Sequence, residues 1–475
     1  MSPLDLDTIR QNEFEHKLSS KRENEILHAF NAFLHKEATG GILLLICAII
    51  AIVFTTLDYR WFIEFWDEQI SIKIGNFNLG MDLRTWINDA LMAVFFFVVG
   101  LEIKREMLVG QLSSIKRSTL PIMAALGGML VPALIYTIFN INNPETLKGW
   151  GIPMATDIAF AIGVLSLLGK RVPTGLKIFL TALAIVDDLG AIVVLAIFYP
   201  SHSIHFNYLI IVAIIMLVLF FFSKAKVRNK YPYLILGVFM WYFTYKSGVH
   251  ATISGVLLAM LIPARGNINE LRFESKIHFL LNKFRLVSNS ELQVLANPEQ
   301  QHVIMSMNNE IQRFAPLLHQ LESKLHSIVR FIIMPLFALA NAGVALNLNC
   351  FSTDGIPTSA LGIFFGLLIG KPIGIFLFSY ISIKLRLSEK PRDIKFKQLA
   401  AVSILGGIGF TMSIFVNGLS FQDPILTDIG KISILFTTIT AAICGSIALF
   451  LTCKKNNPKL AYHDILPKDK TQKKQ

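Results

Sequence analysis

Long apolar runs separated by short polar stretches make up most of the chain. A helix needs about 20 mostly apolar residues to cross the hydrocarbon core of a bilayer. On that measure about twelve spans are predicted, near 37–57, 85–103, 119–140, 149–169, 176–199, 207–223, 231–245, 247–263, 327–346, 359–383, 398–420 and 429–452. The seventh and eighth are short and meet at Lys246-Ser247-Gly248, so their division is the hardest to draw. Between the first two spans, Ile70–Ile74 and Phe77-Asn78-Leu79 alternate apolar and polar around Gly75-Asn76, the pattern of a β-hairpin. Its exposed edge could pair with a second copy. Before the ninth span, Ile277, Leu280, Leu281 and Phe284, then Leu317, Leu318, Leu321 and Leu325, recur at helical spacing among polar residues. Amphipathic helices on the membrane surface or against the bundle are expected there.

The positions of Lys and Arg give the orientation, because cytoplasmic loops concentrate them. One set of alternate loops carries Lys104, Arg105, Lys116 and Arg117; Lys170, Arg171 and Lys177; Lys224, Lys226, Arg228 and Lys230; and Lys384, Arg386, Lys390, Arg392, Lys395 and Lys397. The intervening loops hold little, among it Arg60 and Lys73, Lys148, Lys246 and Lys431. Both termini are therefore expected on the cytoplasmic side. The organisation that follows is a cytoplasmic extension at 1–35, spans one to eight at 36–265, a cytoplasmic amphipathic insert at 266–320, spans nine to twelve at 321–453 and a cytoplasmic tail at 454–475. The first 35 residues hold no short apolar core followed by a cleavage site, so no removable secretory signal is expected.

Composition agrees with this pattern. The 475 residues are 53% hydrophobic and only 16% charged, with a mean hydropathy of +0.56. Soluble domains carry about 25% charged residues. The formal net charge of +12 does not indicate nucleic-acid binding, because the basic residues lie between apolar spans. Cys47, Cys350, Cys444 and Cys453 lie in or beside apolar segments without metal-ligand spacing, so they are expected to be packing residues. No structural metal is expected.

Against this apolar background, a few charges need explaining. Asp187 and Asp188 sit in the middle of the run 180–197. An ionisable side chain at mid-bilayer costs at least about 2.5 kcal/mol, and an adjacent like charge adds to that. A counter-charge, a cation or a proton has to offset it, so Asp187 and Asp188 are the candidate seat of cation binding. Two spans also look broken. In 149–160, Pro153 lacks a backbone donor, and Thr156 and Asp157 bring polar groups to depth. In 405–413, Gly406, Gly407 and Gly409 weaken the helix. Grouped as spans three to five and ten to twelve, each break falls in the middle of a three-helix unit, and the units start from opposite sides. Discontinuous helices at corresponding places in inverted halves point to a transporter's ion site. Each break leaves helix-end partial charges inside the membrane. Asp157 supplies an acid for the positive ends, and Lys371 of the tenth span supplies a base for the negative ends. Adjacent helical residues point about 100° apart, so one of Asp187 and Asp188 can line the ion cavity while the other pairs with Lys371. The sequence leaves open which does which.

These stretches resemble the NhaA family of sodium/proton antiporters over roughly 36–265 and 315–452. The matching motifs include Trp86-Ile87-Asn88-Asp89, Gly100-Leu101-Glu102-Ile103-Lys104-Arg105-Glu106, Ala155-Thr156-Asp157, Val186-Asp187-Asp188-Leu189-Gly190, Gly248-Val249-His250, Gly370-Lys371-Pro372 and Gly406-Gly407-Ile408-Gly409-Phe410-Thr411. The family is itself a standing example of inverted-topology repeats. The resemblance implies an all-α membrane protein of about twelve transmembrane helices with inverted repeats. It also implies two discontinuous helices crossing at mid-membrane and a small periplasmic hairpin. Asp187 and Asp188 would exchange Na⁺ or Li⁺ for H⁺, with Thr156, Asp157 and Lys371 balancing the crossing breaks. Glu102, Arg105, Glu106, His250, Glu322 and His326 would belong to a pH-responsive cytoplasmic mouth. Where the family carries a further histidine beside Glu322, this chain has Ser323. A homodimer through residues 70–79, a bacterial inner-membrane location and a role in sodium and pH homeostasis are implied as well. No cofactor, enzymatic activity or nucleic-acid partner is expected.

Two rival functions fit the sequence less well. A sodium-coupled symporter of organic anions would need a polar substrate chamber, and the spans show no surplus of polar groups. An intramembrane aspartyl protease could use Asp157 and Asp187, but its GxGD motif is missing and Lys371 would pair with an acid meant to hold a shared proton.

Overall fold

The computed structural model describes residues 38–74, 77–199, 204–264, 270–287, 297–344, 356–391 and 393–453. The expected extension at 1–35, the tail at 454–475, the hairpin tip Gly75-Asn76 and parts of the insert at 266–269 and 288–296 lie outside the described residues. The elements in chain order begin with α1 (Ala38–Leu57), α2 (Tyr59–Trp66), β1 (Gln69–Ile74), β2 (Phe77–Asp82), α3 (Leu83–Val109) and α4 (Ile115–Asn140). A bent pair follows, α5 (Pro144–Met154) and α6 (Ile158–Leu167), then α7 (Thr174–Phe198), α8 (Phe206–Lys224), α9 (Lys230–Lys246) and α10 (Thr252–Leu261). The insert forms α11 (Glu270–Val287) and α12 (Pro298–Phe314). Then come α13 (Leu317–Asn341), α14 (Thr358–Lys384), a second bent pair α15 (Phe396–Leu405) and α16 (Phe410–Ser420), and α17 (Pro424–Thr452).

Among the described residues, eight helices are long and apolar enough to cross a membrane, or ten if each bent pair is one span. The remaining predicted spans correspond to α9, of 17 residues, and α10, of 10 residues. All the predicted segments are therefore helical, and the two that met at Lys246-Ser247-Gly248 are the two that fall short in length.

Polar and apolar residues are distributed inside out relative to a water-soluble protein. Large apolar side chains face outward along α1 (Ile46, Ile49, Val53), α4 (Leu130, Leu134, Ile138), α8 (Ile210, Ile214, Leu217) and α17 (Ile439, Ile443, Ile447). Asp157, Asp187, Asp188, Lys371 and Thr411 are buried. Lipid is as apolar as leucine, so close approach of backbones has to hold such helices together. The tightest example is α4 against α14, where Gly127 and Gly374 face each other. A Cβ on either glycine would overlap the other's carbonyl oxygen. This contact fixes α14, and with it Lys371, beside the bent pairs.

The hairpin is present as expected. β1 and β2 pair antiparallel from Gln69↔Asp82 to Ile74↔Phe77, a register that leaves Gly75-Asn76 as a two-residue connection. In the insert, α11 and α12 form an antiparallel helical pair. Phe273 stacks on Phe314 at 4.3 Å, Lys276 reaches Glu310 at 2.7 Å, and Asn297 donates to Val287 O at 2.9 Å. Leu280 and Val303 are buried within this pair. The second amphipathic run, 317–325, takes the second of its two expected settings, against the bundle. It is the first part of α13, which runs on through a π-helical turn at Val329–Ile333 to Asn341. Its apolar positions Leu317, Leu318 and Leu321 pack on the cluster formed by α3, α8, α9 and α10.

Candidate ion-binding site

The two bent pairs meet at their breaks. α5 and α6 bend by 46° across Ala155-Thr156-Asp157, and α15 and α16 bend by 50° across 406–409. The backbone N–H of Asp157 donates to Ile408 O at 2.8 Å, so each break supplies what the other lacks. Thr156 Oγ1 donates to Asp187 Oδ2 at 2.6 Å and lies 3.1 Å from Gly406 O. Ser413 Oγ donates to Ile152 O at 3.0 Å, returning a bond to the turn that Pro153 interrupts. The glycines of the second break are set by crowding. A Cβ at Gly406 would overlap Ile375, at Gly407 it would overlap Leu367 O, and at Gly409 it would overlap Ser413 Oγ. Larger residues would push α14 away from the crossing.

The helix ends at the crossing are matched with side chains of opposite sign. Asp157 caps the positive end of α6, accepting from Phe160 N through Oδ1 at 2.9 Å. Its Oδ2 accepts from Thr411 N at 3.2 Å and from Thr411 Oγ1, so the same carboxylate also serves the start of α16. Lys371 Nζ donates to Met154 O at the negative end of α5. It also pairs with Asp187 Oδ2 at 2.7 Å, with side chains 1% and 2% exposed.

The question the sequence left open is thereby answered in geometry: Asp187 is the partner of Lys371. Asp188, about 100° around α7, faces the other way. It lines a cavity of about 120 Å³ together with Phe95, Val98 and Glu102 of α3, Asp157, Met412, and His326 and Arg330 of α13. Asp188 Oδ2 and Asp187 Oδ1 are buried with no hydrogen-bond partner among the described residues. An unpartnered carboxylate oxygen beside a neutralised pair can take up a proton or a small cation, and the cavity gives it access.

The expected cytoplasmic mouth divides into three parts. Glu102 and His326 line the same cavity as Asp188. Arg105 lies beside them in an ion cluster, 3.8 Å from Glu102, 3.3 Å from Glu106 and 3.0 Å from Glu322. His250 is buried at the turn before α10, where its carbonyl accepts from Ile253 N at 3.1 Å, and it is not among the residues lining the cavity. Two residues of the site carry roles that the sequence pattern did not single out. Thr411 belongs to the Gly406–Thr411 motif, and its place as the second residue of the helix after the second break is the available signal. Arg330 was the lone basic residue inside an apolar run, which is signal enough in a membrane span.

Apolar surface, interrupted helices and charge enclosed at their crossing define a multi-pass membrane transporter. Comparison with known proteins makes this specific. Residues 31–449 match the family described as Na⁺/H⁺ antiporter 1. The chain is 44% identical to the Na⁺/H⁺ antiporter NhaA 2 of Aliarcobacter butzleri over 427 residues, covering 90% of this chain and 98% of that protein. It is 44% identical to NhaA 1 of Clostridium beijerinckii, covering 93% and 99%, and 41% identical to NhaA of Helicobacter pylori, covering 92% and 98%. The chain belongs to the NhaA family of Na⁺/H⁺ antiporters, which are transporters and not enzymes.

Proposed function

We propose that this protein exchanges cytoplasmic Na⁺, or Li⁺, for external H⁺, and that Asp187 and Asp188 are where the two kinds of ion alternate. The observation that carries this reading is Asp188, buried, lining the cavity and left with an unpartnered oxygen beside the Asp187–Lys371 pair. At low pH, protons occupy the carboxylates and transport stops. As pH rises the cation enters, and rocking of one helix bundle against the other presents the loaded site to the opposite side. Thr156, Asp157 and Lys371 keep the broken helices neutral through the cycle, and Gly406, Gly407 and Gly409 allow the breaks to stay close. Glu102, Arg105, Glu106, Glu322, His326 and His250 tune the pH response that makes the exchanger active on the alkaline side.

An exchange of two protons per sodium moves one net charge per cycle. The membrane potential then contributes about 2.3 kcal/mol per 100 mV toward sodium extrusion. The protein sits in a bacterial inner membrane, with α9 and α10 completing twelve crossings in inverted repeats and both termini in the cytoplasm. The 1–35 extension, the 266–320 insert and the 454–475 tail are cytoplasmic. Two copies pair through the β1–β2 hairpin, and no resident cofactor takes part. In proteoliposomes carrying a pH gradient and a pH-sensitive dye, adding NaCl without organic solute dequenches the dye for the wild type. Asp188→Asn, inserted at normal levels, gives no response; a normal response from that variant would refute the site, and a requirement for organic solute would favour symport.

A further inference from the structure

Among the described charged residues of the cavity wall, Arg330 is the one to which the proposed mechanism assigns no task. It lies within a π-helical turn of α13, Val329–Ile333, a distortion that turns side chains out of the regular helical rows. Its stem passes across Gly40 of α1, where a Cβ would lie 2.7 Å from Arg330 Cγ, so the first span leaves room for it. Its Nη2 is 2.8 Å from His326 Nε2, one turn earlier on α13. A guanidinium has only donors, so in this contact Nε2 accepts, and the imidazole is neutral with its proton on Nδ1.

We propose that Arg330 is a permanent positive charge that sets the entry barrier for the cation, and that neutral His326 holds it aside. This rests on the reading that the Asp188 cavity takes up the cation. Protonating His326 removes the acceptor and places like charges at 2.8 Å, which drives the guanidinium off the imidazole and toward the carboxylates of the cavity they share. There it competes with Na⁺ for the same field. The groups facing His326 are Glu322 on its own helix, Glu102, Arg105 and Glu106 from α3, Asp157 from the first break and Asp188 from α7; the described residues of α1 present none. Arg105 is already engaged by Glu102, Glu106 and Glu322, so Arg330 is the cation of this wall left to move.

The test is Na⁺-dependent exchange in everted vesicles, with KM and maximal rate separated across a pH series. Arg330→Gln lowers KM for Na⁺ on the acidic side of the profile about fivefold, the size of one unit charge at about 4 Å when screened as in bulk water, and changes it by about twofold or less at the alkaline end. Arg330→Lys keeps the charge and a donor for Nε2, and so keeps the wild-type pH dependence. His326→Gln offers an acceptor at every pH and extends activity to lower pH. Membrane levels are measured for each, and if Arg330→Gln fails to insert, the other variants carry the comparison. A KM unchanged in Arg330→Gln at every pH, a His326→Gln profile identical to the wild type, or an equal loss of rate at all pH in both Arg330 variants overturns the proposal. Asp188→Asn in the same vesicles separates the two failures. A silent Asp188→Asn with an unaltered Arg330→Gln removes only the role of Arg330, while an active Asp188→Asn removes the underlying site.

Discussion

Removing the ammonium of Lys371 is the perturbation whose consequence can be worked furthest from the geometry. Lys371 Nζ and Asp187 Oδ2 are 2.7 Å apart, and both side chains are almost fully enclosed. At an effective dielectric of about 20, unit charges at that separation attract by about 6 kcal/mol. Most of that attraction is offset by taking both ions out of water. Losing one partner is different, because the desolvated charge remains without its compensation, at a cost of about 3–5 kcal/mol. Lys371→Met also leaves Met154 O at the end of α5 without its donor, which adds about 1 kcal/mol. The single variant is therefore expected to be less stable than the wild type by about 4–6 kcal/mol when unfolded by denaturant titration in mixed micelles. Asp187→Asn combined with Lys371→Met removes both charges and should recover most of that loss. A single variant as stable as the wild type, or a double variant no better than the single, would refute the view that this pair is held by mutual compensation.

Other consequences follow from neighbouring contacts. Thr411→Val removes the hydroxyl donor to Asp157 and is expected to cost about 1.5–3 kcal/mol in the same titration, with Thr411→Ser restoring it; equal stability of Val and Ser would mean the hydroxyl contributes nothing. Gly374→Ala drives a methyl group against Gly127 O and should destabilise by about 1–3 kcal/mol through separation of α4 and α14, whereas Gly418→Ala, with open space around it, should not; similar losses at both positions would contradict the packing argument. Replacing β1 and β2 by a short polar linker is expected to convert a dimer into a monomer by light scattering in detergent, and a persisting dimer would remove the hairpin from that role.

Much of the fold was legible because a bilayer imposes so narrow a rule on sequence. Runs such as 176–199 and 429–452 were long enough to be read as spans, and they are continuous helices at Thr174–Phe198 and Pro424–Thr452. Pro153 and the glycines at 406–409 marked both breaks, because they remove or weaken backbone bonds that hydrocarbon cannot replace. The pairing of Lys371 was half legible. Charge balance required a partner, but an angle of about 100° between adjacent helical residues left Asp187 and Asp188 equivalent until α7 was packed. The run 317–325 was legible as a helix, while its setting, membrane surface or bundle, stayed open for a related reason. Periodicity shows that a helix has a polar face without showing what covers it, and here Glu322 on that face meets Arg105 rather than water. Thr411 was hidden because its value lies in reaching Asp157, 254 residues away in the chain.

The central claim is that a proton and a sodium ion take turns on Asp188, and proton release on sodium binding tests it most directly. Purified protein in weakly buffered detergent, at a pH where the site is protonated, should acidify the solution when NaCl is added, and Asp188→Asn should not. Sodium binding without proton release from the wild type, or undiminished release from Asp188→Asn, would contradict the account.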